Sequence, residues 1–412
     1  MSLDGQGPRI LLVGYNGANN TGSEARLLSI ISDVRKVFGQ DATITVPTLN
    51  EENLRRYLQE DERTRVQPIP SVFFFALRRL VKEHDLIMLV EGSCYMDTWA
   101  APLLWAYLGA SKYSKAYGKP CLAYAVDAGK LAGKRVHNVQ RQASKVDLLV
   151  TRTTSSAARL RGWGVTAPIA VTDDNGFTFD ATGDQGVLRR LWPGSGKIAG
   201  IAVVDFYLWP VVIRPFGQER DCYRWPYYFS HSRRRRRQSA ELAIRWAELA
   251  DRLVEEHGRS ILLIAMEAVD ERLAREVKGL MKNGERAFVL SAAEHDASEM
   301  TWALRDLDIL LTSRYHASVL SMSAGVPQAA VGHDLRLHDL YLESGLHDDF
   351  YLDYNAPSLW EGLSDRADRL IREHEEIGAR ILATYSEHRE RAERNIDLLR
   401  EFALAHGLPV AK

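Results

Sequence analysis

Arg314 and His316 are the residues of this sequence best suited, by type and spacing, to do chemistry. They belong to the stretch SRYHA at residues 313–317, which directly follows an apolar run that ends at Thr312. Arginine binds carboxylates and phosphates, and histidine exchanges a proton near neutral pH. The apolar run predicts a buried strand, and Ser313 is expected to cap the helix after it. A lone histidine is more often structural, but a neighbouring arginine at a helix N-terminus favours binding and proton transfer.

A second candidate site is the loop GYNGANNTGSEA at residues 14–25, which follows another apolar run at 10–13. Its glycines permit a sharp turn, and its polar side chains are suited to bind a ligand. The candidate binding residues are Asn16, Asn19, Asn20 and Thr21. Ser23 or Thr21 is expected to cap the following helix. The glycine spacing matches neither the dinucleotide-binding pattern nor the P-loop, so an anion site and a plain strand-to-helix turn both stay open.

These two loops belong to a longer alternation of strand-like and helix-like segments. Short apolar runs, typical of buried parallel strands, recur at residues 10–13, 86–90, 121–126, 148–151, 198–204, 261–265, 309–312 and 328–331. Helical patterns separate them, so the sequence predicts an α/β protein with doubly wound sheets. A stretch rich in glycine and proline at 181–197 predicts the boundary between two Rossmann-like domains, 1–185 and 186–412, the second with terminal helices. Such folds bind ligands at the carboxyl ends of their strands, in the cleft.

Composition excludes several classes of protein. The 412 residues carry a formal net charge of -1, so overall charge favours neither nucleic acid nor an anionic membrane as a partner. Five consecutive arginines at 233–237 would suit nucleic acid or an acidic glycan, but we expect a solvated turn or the rim of the cleft. The three cysteines form no CxxC pair, and no segment looks like a signal peptide or a membrane span. We therefore expect a cytoplasmic protein.

Four segments together resemble the polysaccharide pyruvyl transferase family. They are residues 14–25, GKPCLAYAVDAGKL at 118–131, VTDDNGFTF at 171–179 and SRYHASVLSMSAGVPQAAVGHD at 313–334. The resemblance implies a GT-B-like arrangement of two domains, with the acceptor on the N-terminal side and the donor on the C-terminal side. It also implies transfer of pyruvate from phosphoenolpyruvate to a pair of sugar hydroxyls as a ketal, in the biosynthesis of exopolysaccharides or other cell-surface glycans.

Ketal formation from an enol phosphate requires a proton for the methylene carbon, a base for the sugar hydroxyl, and cations for carboxylate and phosphate. Under the resemblance, His316 carries the proton and Arg314 holds the anion beside Ser313. A helix N-terminus disfavours imidazolium. Either bound phosphoenolpyruvate raises the pKa of His316, or His316 stays neutral and donates a hydrogen bond or acts as a base. Glu91 and His333 are further candidates for substrate binding. No metal and no cofactor are expected.

The partners implied are phosphoenolpyruvate as donor and a sugar or lipid-linked saccharide as acceptor. Through such an acceptor the protein would associate peripherally with a membrane. No nucleic acid partner is expected, and the sequence leaves the oligomeric state open.

Two departures from the family pattern leave alternatives open. The loop VEGSCYMD at 90–97 has Glu91 and Cys94 where members commonly have a run of glycines. The usual arginine after the first strand of the second domain is missing, and Arg214 is the nearest candidate to bind the donor. The alternatives are a GT-B glycosyltransferase that uses a nucleotide sugar and a catalytically lapsed, glycan-binding member. An open basic cleft would support transfer, whereas a cleft filled by tyrosine and tryptophan would support the lapsed member.

Two further features have more than one interpretation. An aromatic cluster within residues 207–229 suits either a lid over a sugar acceptor or a packed insertion. Asp173 and Asp174 form an acidic pair without an obvious third metal ligand, so we interpret them as loop and helix-cap residues.

Overall fold

The first half of the chain forms one parallel sheet. The computed structural model describes residues 7–193, 196–218, 222–230 and 232–411. The strands are β1 (Arg9–Val13), β2 (Thr43–Thr48), β3 (Thr64–Pro68), β4 (Leu86–Leu89), β5 (Cys121–Val126), β6 (Leu148–Thr151) and β7 (Ile169–Val171). They pair in the order β3-β2-β1-β4-β5-β6-β7. In β1, Ile10 and Leu12 pack on one face and Leu11 and Val13 on the other, because helices cover both faces.

The helices of this half are α1 (Thr21–Phe38), α2 (Glu51–Tyr57), α3 (Phe74–Glu83), α4 (Ala101–Ala116), α5 (Gly133–Ala143), α6 (Thr154–Gly162) and α7 (Val187–Leu191). The predicted cap of α1, Ser23 or Thr21, is wrong. The helix begins one residue earlier, and Asn20 in extended conformation accepts a hydrogen bond from the Ser23 N–H at 3.1 Å. Thr21 is therefore the first helical residue rather than the cap.

The second half contains a parallel sheet and a small antiparallel one. Its strands are β8 (Ile198–Ala202), β9 (Val212–Ile213), β10 (Cys222–Arg224), β11 (Tyr227–Tyr228), β12 (Ser260–Ala265), β13 (Ala287–Ser291), β14 (Ile309–Thr312), β15 (Gln328–Gly332) and β16 (Tyr351–Asp353). Six strands form the parallel sheet β13-β12-β8-β14-β15-β16, and three form the sheet β10-β11-β9. The small sheet lies in an insertion between β8 and the next helix, and it contains the aromatic cluster found in the sequence.

The helices of the second half are α8 (Arg233–His257), α9 (Glu271–Leu280), α10 (Ala297–Arg305), α11 (Tyr315–Met322), α12 (Leu335–Glu343), α13 (His347–Phe350), α14 (Leu359–Arg372) and α15 (His374–Ala405). The arginine run is not a turn, because it forms the start of α8. Arg235 donates to the carbonyl oxygens of Tyr207 and Trp209 at 2.8 and 2.6 Å, which ties α8 to the insertion. The other four arginines of the run are exposed.

The terminal helix α15 returns to the first half of the chain. Leu399, Phe402 and Ala403 are buried in the cluster that contains Ile10 and Leu12 of β1. Further along the same helix, polar side chains bind the segment after β7, as when Asn395 Nδ2 donates to the Asp173 carbonyl at 3.0 Å. The two halves therefore share one helix.

Two parallel sheets with helices on both faces confirm the α/β prediction. Strands β1 to β7 precede residue 186 and strands β8 to β16 follow it. The exact domain ranges, 1–185 and 186–412, stay a prediction. Within the described ranges, no helix combines the length and the apolar character that crossing a bilayer requires.

Candidate functional site

His316 lies in the first turn of α11, directly after β14. The predicted cap of this helix, Ser313, is replaced by Arg314, which stands at the N-cap position without a side-chain capping hydrogen bond. The imidazole is buried between the two halves of the chain. A Cβ atom added at Gly22 would lie 1.9 Å from His316 Nδ1. Glycine at the start of α1 is therefore what allows the two halves to close around His316.

Asp174 is the acidic neighbour of His316. Its Oδ1 lies 3.5 Å from His316 Nε2, and its Oδ2 accepts hydrogen bonds from the buried Arg26 and Arg152. Burial alone would raise the pKa of Asp174, but the two guanidinium groups outweigh it and hold that pKa well below its usual range. Oδ1 also accepts from the Gly176 N–H at 2.6 Å and caps a short 3-10 helix. Asp174 is therefore a fixed, ionised carboxylate.

His316 is consequently a neutral imidazole with a defined orientation. Burial lowers the pKa of His316, and Asp174 opposes this effect only in part. Because the carboxylate faces Nε2, the proton of the neutral ring belongs on Nε2, which leaves Nδ1 as the basic nitrogen. Nδ1 lies on the side of Gly22, so the basic nitrogen faces the first half of the chain.

Arg314 is buried between two carboxylates. Its Nη1 donates to Glu267 Oε2 at 3.0 Å and its Nη2 to Asp270 Oδ1 at 2.5 Å. Burial lowers the pKa of Arg314, but the two carboxylates outweigh burial and raise it, so the guanidinium stays charged. Burial also raises the pKa of Asp270 to about 7, against the opposing effect of Arg314. The negative charge beside Arg314 therefore changes near neutral pH.

A cavity of about 60 Å³, here called the histidine cavity, joins these groups. Its polar lining from the first half is Asn20, Ser23, Glu91 and Ser93, and its polar lining from the second half is Glu267, Ser313, Arg314, His316, His333, Asp334 and Arg336. Tyr15, Trp99 and Trp209 form part of its apolar wall. The structure thus brings together six residues singled out in the sequence: Asn20, Glu91, Ser313, Arg314, His316 and His333.

Several polar atoms at this cavity are buried and lack a hydrogen-bond partner among the described residues. They are Ser313 Oγ, Arg314 Nε, His316 Nε2, Trp99 Nε1 and both ring nitrogens of His333. Burial lowers the pKa of His333 to about 4, so this ring is neutral at physiological pH. Proteins pair nearly all of their buried polar groups, so a cluster of exceptions at one cavity indicates groups that bind a ligand.

Comparison with known sequences decides the family of this chain. The family model described as polysaccharide pyruvyl transferase matches residues 20–334, which is well over half of the 412 residues. The chain belongs to the polysaccharide pyruvyl transferase family. No curated protein sequence matches it. The family makes the protein a transferase-like enzyme of glycan biosynthesis.

Solved structures with the same fold cover nearly the whole chain. The chain is similar to the UDP complex of MnaA from S. aureus (TM-score 0.63, 9% identity, covering 98% of this chain and 98% of that chain). It is also similar to the UDP-GlcNAc 2-epimerase from Methanocaldococcus jannaschii (TM-score 0.61, 11% identity, 95% and 99%). A glycosyltransferase from Rickettsia africae gives a TM-score of 0.52 at 11% identity, covering 97% and 99%. These likenesses confirm the predicted GT-B-like arrangement.

The remaining residues predicted for the site of this family member lie elsewhere. Asn16 and Asn19 line a second cavity, and Asn16 Nδ2 donates to the carbonyl of Leu12 at 3.1 Å, which supports the loop. Thr21 is fully buried in α1. Arg214 does not fold back into the cleft: its Nη2 donates to the Phe229 carbonyl at 3.1 Å, and its side chain lies exposed in the insertion. The insertion strands hold it there.

The second cavity, here called the large cavity, has a volume of about 500 Å³. Apolar residues of the first half form one wall, including Ile69, Phe73, Leu77, Pro102 and Leu103, and the insertion forms the opposite wall with Trp209, Val211, Tyr223, Tyr227 and Phe229. Tyr15, Leu103 and Trp209 line both cavities, so these side chains lie between the large cavity and the histidine cavity.

Sequence reasoning missed four important residues. Glu267 and Asp270, the carboxylates that bind Arg314, follow β12 at its carboxyl end, so the rule that led to Arg314 applied to them as well. Arg26 and Arg152 bind Asp174 from the interior of the first half. Arg152 directly follows β6, so the same rule applied to it, whereas nothing in the local sequence distinguishes Arg26, inside α1, from an exposed helical arginine.

Proposed function

We propose that this family member transfers the pyruvyl group of phosphoenolpyruvate to two hydroxyls of a sugar, forming a ketal, in the cytoplasmic stage of exopolysaccharide or other surface-glycan synthesis. The observation that carries the proposal is the cluster of buried polar atoms beside His316 that have no partner in the part of the chain described here. The reaction uses no metal and no cofactor.

The donor lies on the side of the cavity formed by the second half. Arg314 Nε and Ser313 Oγ are available to bind a carboxylate or phosphate oxygen, and the N-terminus of α11 adds backbone N–H groups. Arg336 supplies a second cation on the same wall, where its guanidinium binds the Asp334 carboxylate and lies 4.9 Å from the centre of the Trp99 ring. These groups suit a small substrate with two anionic ends.

The acceptor lies on the side formed by the first half. Asn20, Glu91 and Ser93 offer amide, carboxylate and hydroxyl groups, which bind sugar hydroxyls. Trp99 and Trp209 contact each other edge to face at 4.9 Å and provide aromatic surface on which a sugar face packs. In this arrangement the sugar hydroxyls approach the donor from the side of His316 Nδ1.

The chemistry follows from the orientation of His316. Protonated in the presence of the anionic donor, it gives its proton to the methylene carbon, which becomes the methyl group of the product. One sugar hydroxyl adds to the central carbon and returns a proton to His316. The second hydroxyl then displaces phosphate, whose C–O bond breaks, and its proton leaves with the phosphate. Asp174 stays ionised throughout and stabilises the imidazolium form.

Substrate entry requires a change in the closed cavity. A volume of about 60 Å³ holds only a few water molecules, which is less than phosphoenolpyruvate needs. The insertion supplies Trp209 to the cavity wall and is attached to the first half at the Ala100–Val211 bridge. We therefore assign the insertion the role of a lid that opens for substrates and closes over them.

Thermal unfolding with phosphoenolpyruvate, measured against a panel of UDP- and GDP-sugars, tests the donor. Wild-type protein and Arg314→Lys are compared with Arg400→Lys, an arginine on α15 remote from the site. We expect phosphoenolpyruvate to stabilise wild type and Arg400→Lys but not Arg314→Lys. Incubation with candidate saccharides should then add the mass of pyruvic acid less one water, with release of phosphate.

Two results would contradict the proposal. Stabilisation by nucleotide sugars alone would make the protein a glycosyltransferase of the same fold. Wild-type protein that is stabilised by saccharides but never by phosphoenolpyruvate would be a lapsed, glycan-binding member of the family. The aromatic wall of the histidine cavity also suits that role.

A further inference from the structure

One surface beside the large cavity concentrates exposed apolar side chains. Of the twelve large apolar residues that are exposed in the described ranges, seven lie in two segments of the chain. These seven, here called the apolar rim, are Val72, Phe74, Phe75, Val212, Ile213, Phe216 and Trp225. The two segments meet where the Tyr227 hydroxyl donates to the Ser71 carbonyl at 2.5 Å. The rim is therefore one surface rather than two.

The apolar rim surrounds one end of the large cavity. Phe73 lines that cavity, and its neighbours in sequence, Val72 and Phe74, belong to the rim. Val211 and Arg224 also line the cavity, and each is followed by a residue of the rim. Apolar cavity wall thus continues outward into exposed apolar surface. Exposed patches of this kind mark sites of interaction.

Basic side chains lie on the same surface. On α3, Phe75, Arg78, Arg79 and Lys82 are all exposed and follow the i, i+3, i+4, i+7 spacing of one helical face. Leu77, Leu80 and Val81 of the same helix are buried. The exposed face of α3 therefore presents one large apolar side chain followed by three cations, with the exposed Glu83 lying 3.9 Å from Arg79 at its end.

The insertion and the start of α8 carry a similar excess of positive charge. Between residues 206 and 240 the sequence has eight arginines and only two acidic residues, although the chain as a whole has a net charge of -1. Arg214 and Arg224 are exposed beside the rim, and Arg233, Arg234, Arg236 and Arg237 are exposed on the first turns of α8. Cationic charge is thus localised around the apolar rim.

We propose that the apolar rim and its basic surround dock this protein on an anionic lipid bilayer. Phenylalanine and tryptophan enter the boundary between headgroups and acyl chains, while arginine and lysine bind anionic headgroups. Aliphatic rim residues such as Val212 and Ile213 favour hydrocarbon over the bases of a nucleic acid. The proposal is independent of pyruvyl transfer, because it concerns a surface outside the histidine cavity.

Co-sedimentation of the full chain with vesicles of phosphatidylcholine, with and without phosphatidylglycerol, tests the proposal. We expect binding only to the anionic vesicles, and weaker binding at high salt. The double variant Phe75→Ser, Phe216→Ser should have a partition coefficient about tenfold or more below that of wild type. The double variant Arg78→Gln, Arg79→Gln should have a partition coefficient lower by about fivefold for each arginine removed. Matched controls are Leu342→Ser with Leu404→Ser, 51% and 58% exposed, and Arg189→Gln with Arg372→Gln. They should bind as wild type does.

Brominated lipids give an independent readout, because Trp225 is 57% exposed and should be quenched on docking. Trp225→Phe should lose that quenching. The proposal is wrong if wild type binds neither vesicle, or if the control variants lose as much binding as the rim variants. The proposal is equally wrong if the protein does not bind vesicles and the rim variants instead abolish a concentration-dependent dimer. The same holds if, without vesicle binding, the rim variants abolish binding to an oligonucleotide.

Discussion

The two sides of the histidine cavity differ in charge. From the first half, the described residues that line it offer amide, hydroxyl and carboxylate groups but no cation. From the second half come two histidines and the two arginines Arg314 and Arg336, which are paired with the carboxylates of Glu267 and Asp334. Among the described lining residues, cations that can bind an anion therefore lie on the second side. Under the proposed function, this contrast would place the anionic donor on the second half of the chain and the saccharide on the first.

The two halves also differ in how they compensate buried arginine. In the first half, Arg26 and Arg152 share Asp174, whose pKa is held far below its usual range, so this group does not titrate near neutral pH. In the second half, Arg314 is shared by Glu267 and Asp270, and the pKa of Asp270 is about 7. The first arrangement fixes the orientation of His316, whereas the second can change its charge when a donor binds.

The largest effect is expected from His316→Gln, which removes the proton carrier between the two sides. We expect kcat to fall by roughly 10²–10⁴ because acid–base catalysis typically contributes that much. The affinity for phosphoenolpyruvate should change far less, since Arg314 and Ser313 remain. Steady-state kinetics with a pyruvate acceptor measure both. His406→Gln, at the C-cap of α15 and outside the residues that line the cavity, is the control. Unchanged kcat in His316→Gln would remove the histidine from the chemistry.

Asp174→Asn tests the buried ion-pair network of the first half. It leaves Arg26 and Arg152 buried without their shared carboxylate, so the free energy of unfolding should fall by about 3–5 kcal/mol. Urea denaturation measures the change. Asp184→Asn is the matched control, because its bond to Arg190 is exposed and should contribute little. Equal effects of the two substitutions would show that the buried network does not stabilise the first half.

A pair of substitutions tests whether charge separates donor from acceptor. Arg314→Lys cannot keep both the carboxylate contacts and the free Nε donor, so it should raise the KM for phosphoenolpyruvate about tenfold. Glu91→Gln should raise the KM for the saccharide by a similar factor of about ten, with the donor unaffected. If both substitutions raise the KM for the same substrate, the two sides of the histidine cavity do not bind different substrates.

The smallest effect concerns pH. Protonation of Asp270 removes a negative charge beside the donor, so the affinity for phosphoenolpyruvate should rise by a few fold as the pH falls through about 7. Asp270→Asn mimics the protonated carboxyl and should bind the donor more tightly at pH 8, with a flatter pH profile. Calorimetric titration at several pH values measures this. A profile as steep as that of wild type would assign the pH dependence to another group.

Much of the site followed from one rule, that polar residues after buried strands meet at the same edge of a sheet. The rule found Glu91 after β4, Ser313 to His316 after β14 and His333 after β15, and the structure brings these together. Their roles stay predictions. The rule equally applied to Glu267 after β12, which was passed over because a glutamate in a loop looks like ordinary surface.

Other features depend on contacts that local sequence cannot show. Arg26 looks like an exposed helical residue, yet it is 1% exposed because α1 turns it toward Asp174, far away in sequence. The resemblance to the family predicts a donor-binding arginine after β8, and Arg214 is the first arginine that follows, but the pairing of the insertion strands holds it outside the cavity. The predicted helix caps lie one to three residues from the observed ones, since neighbouring polar residues compete for the same position.

The course of α15 has a consequence for synthesis on the ribosome. Leu399, Phe402 and Ala403 complete the core around β1, so the first sheet lacks part of its apolar packing until residues 399–403 have been made. Domains commonly fold in order from the N-terminus during translation. In this protein the first half instead keeps apolar surface uncovered until α15 has been made, so its core is completed only after the second half has been synthesised.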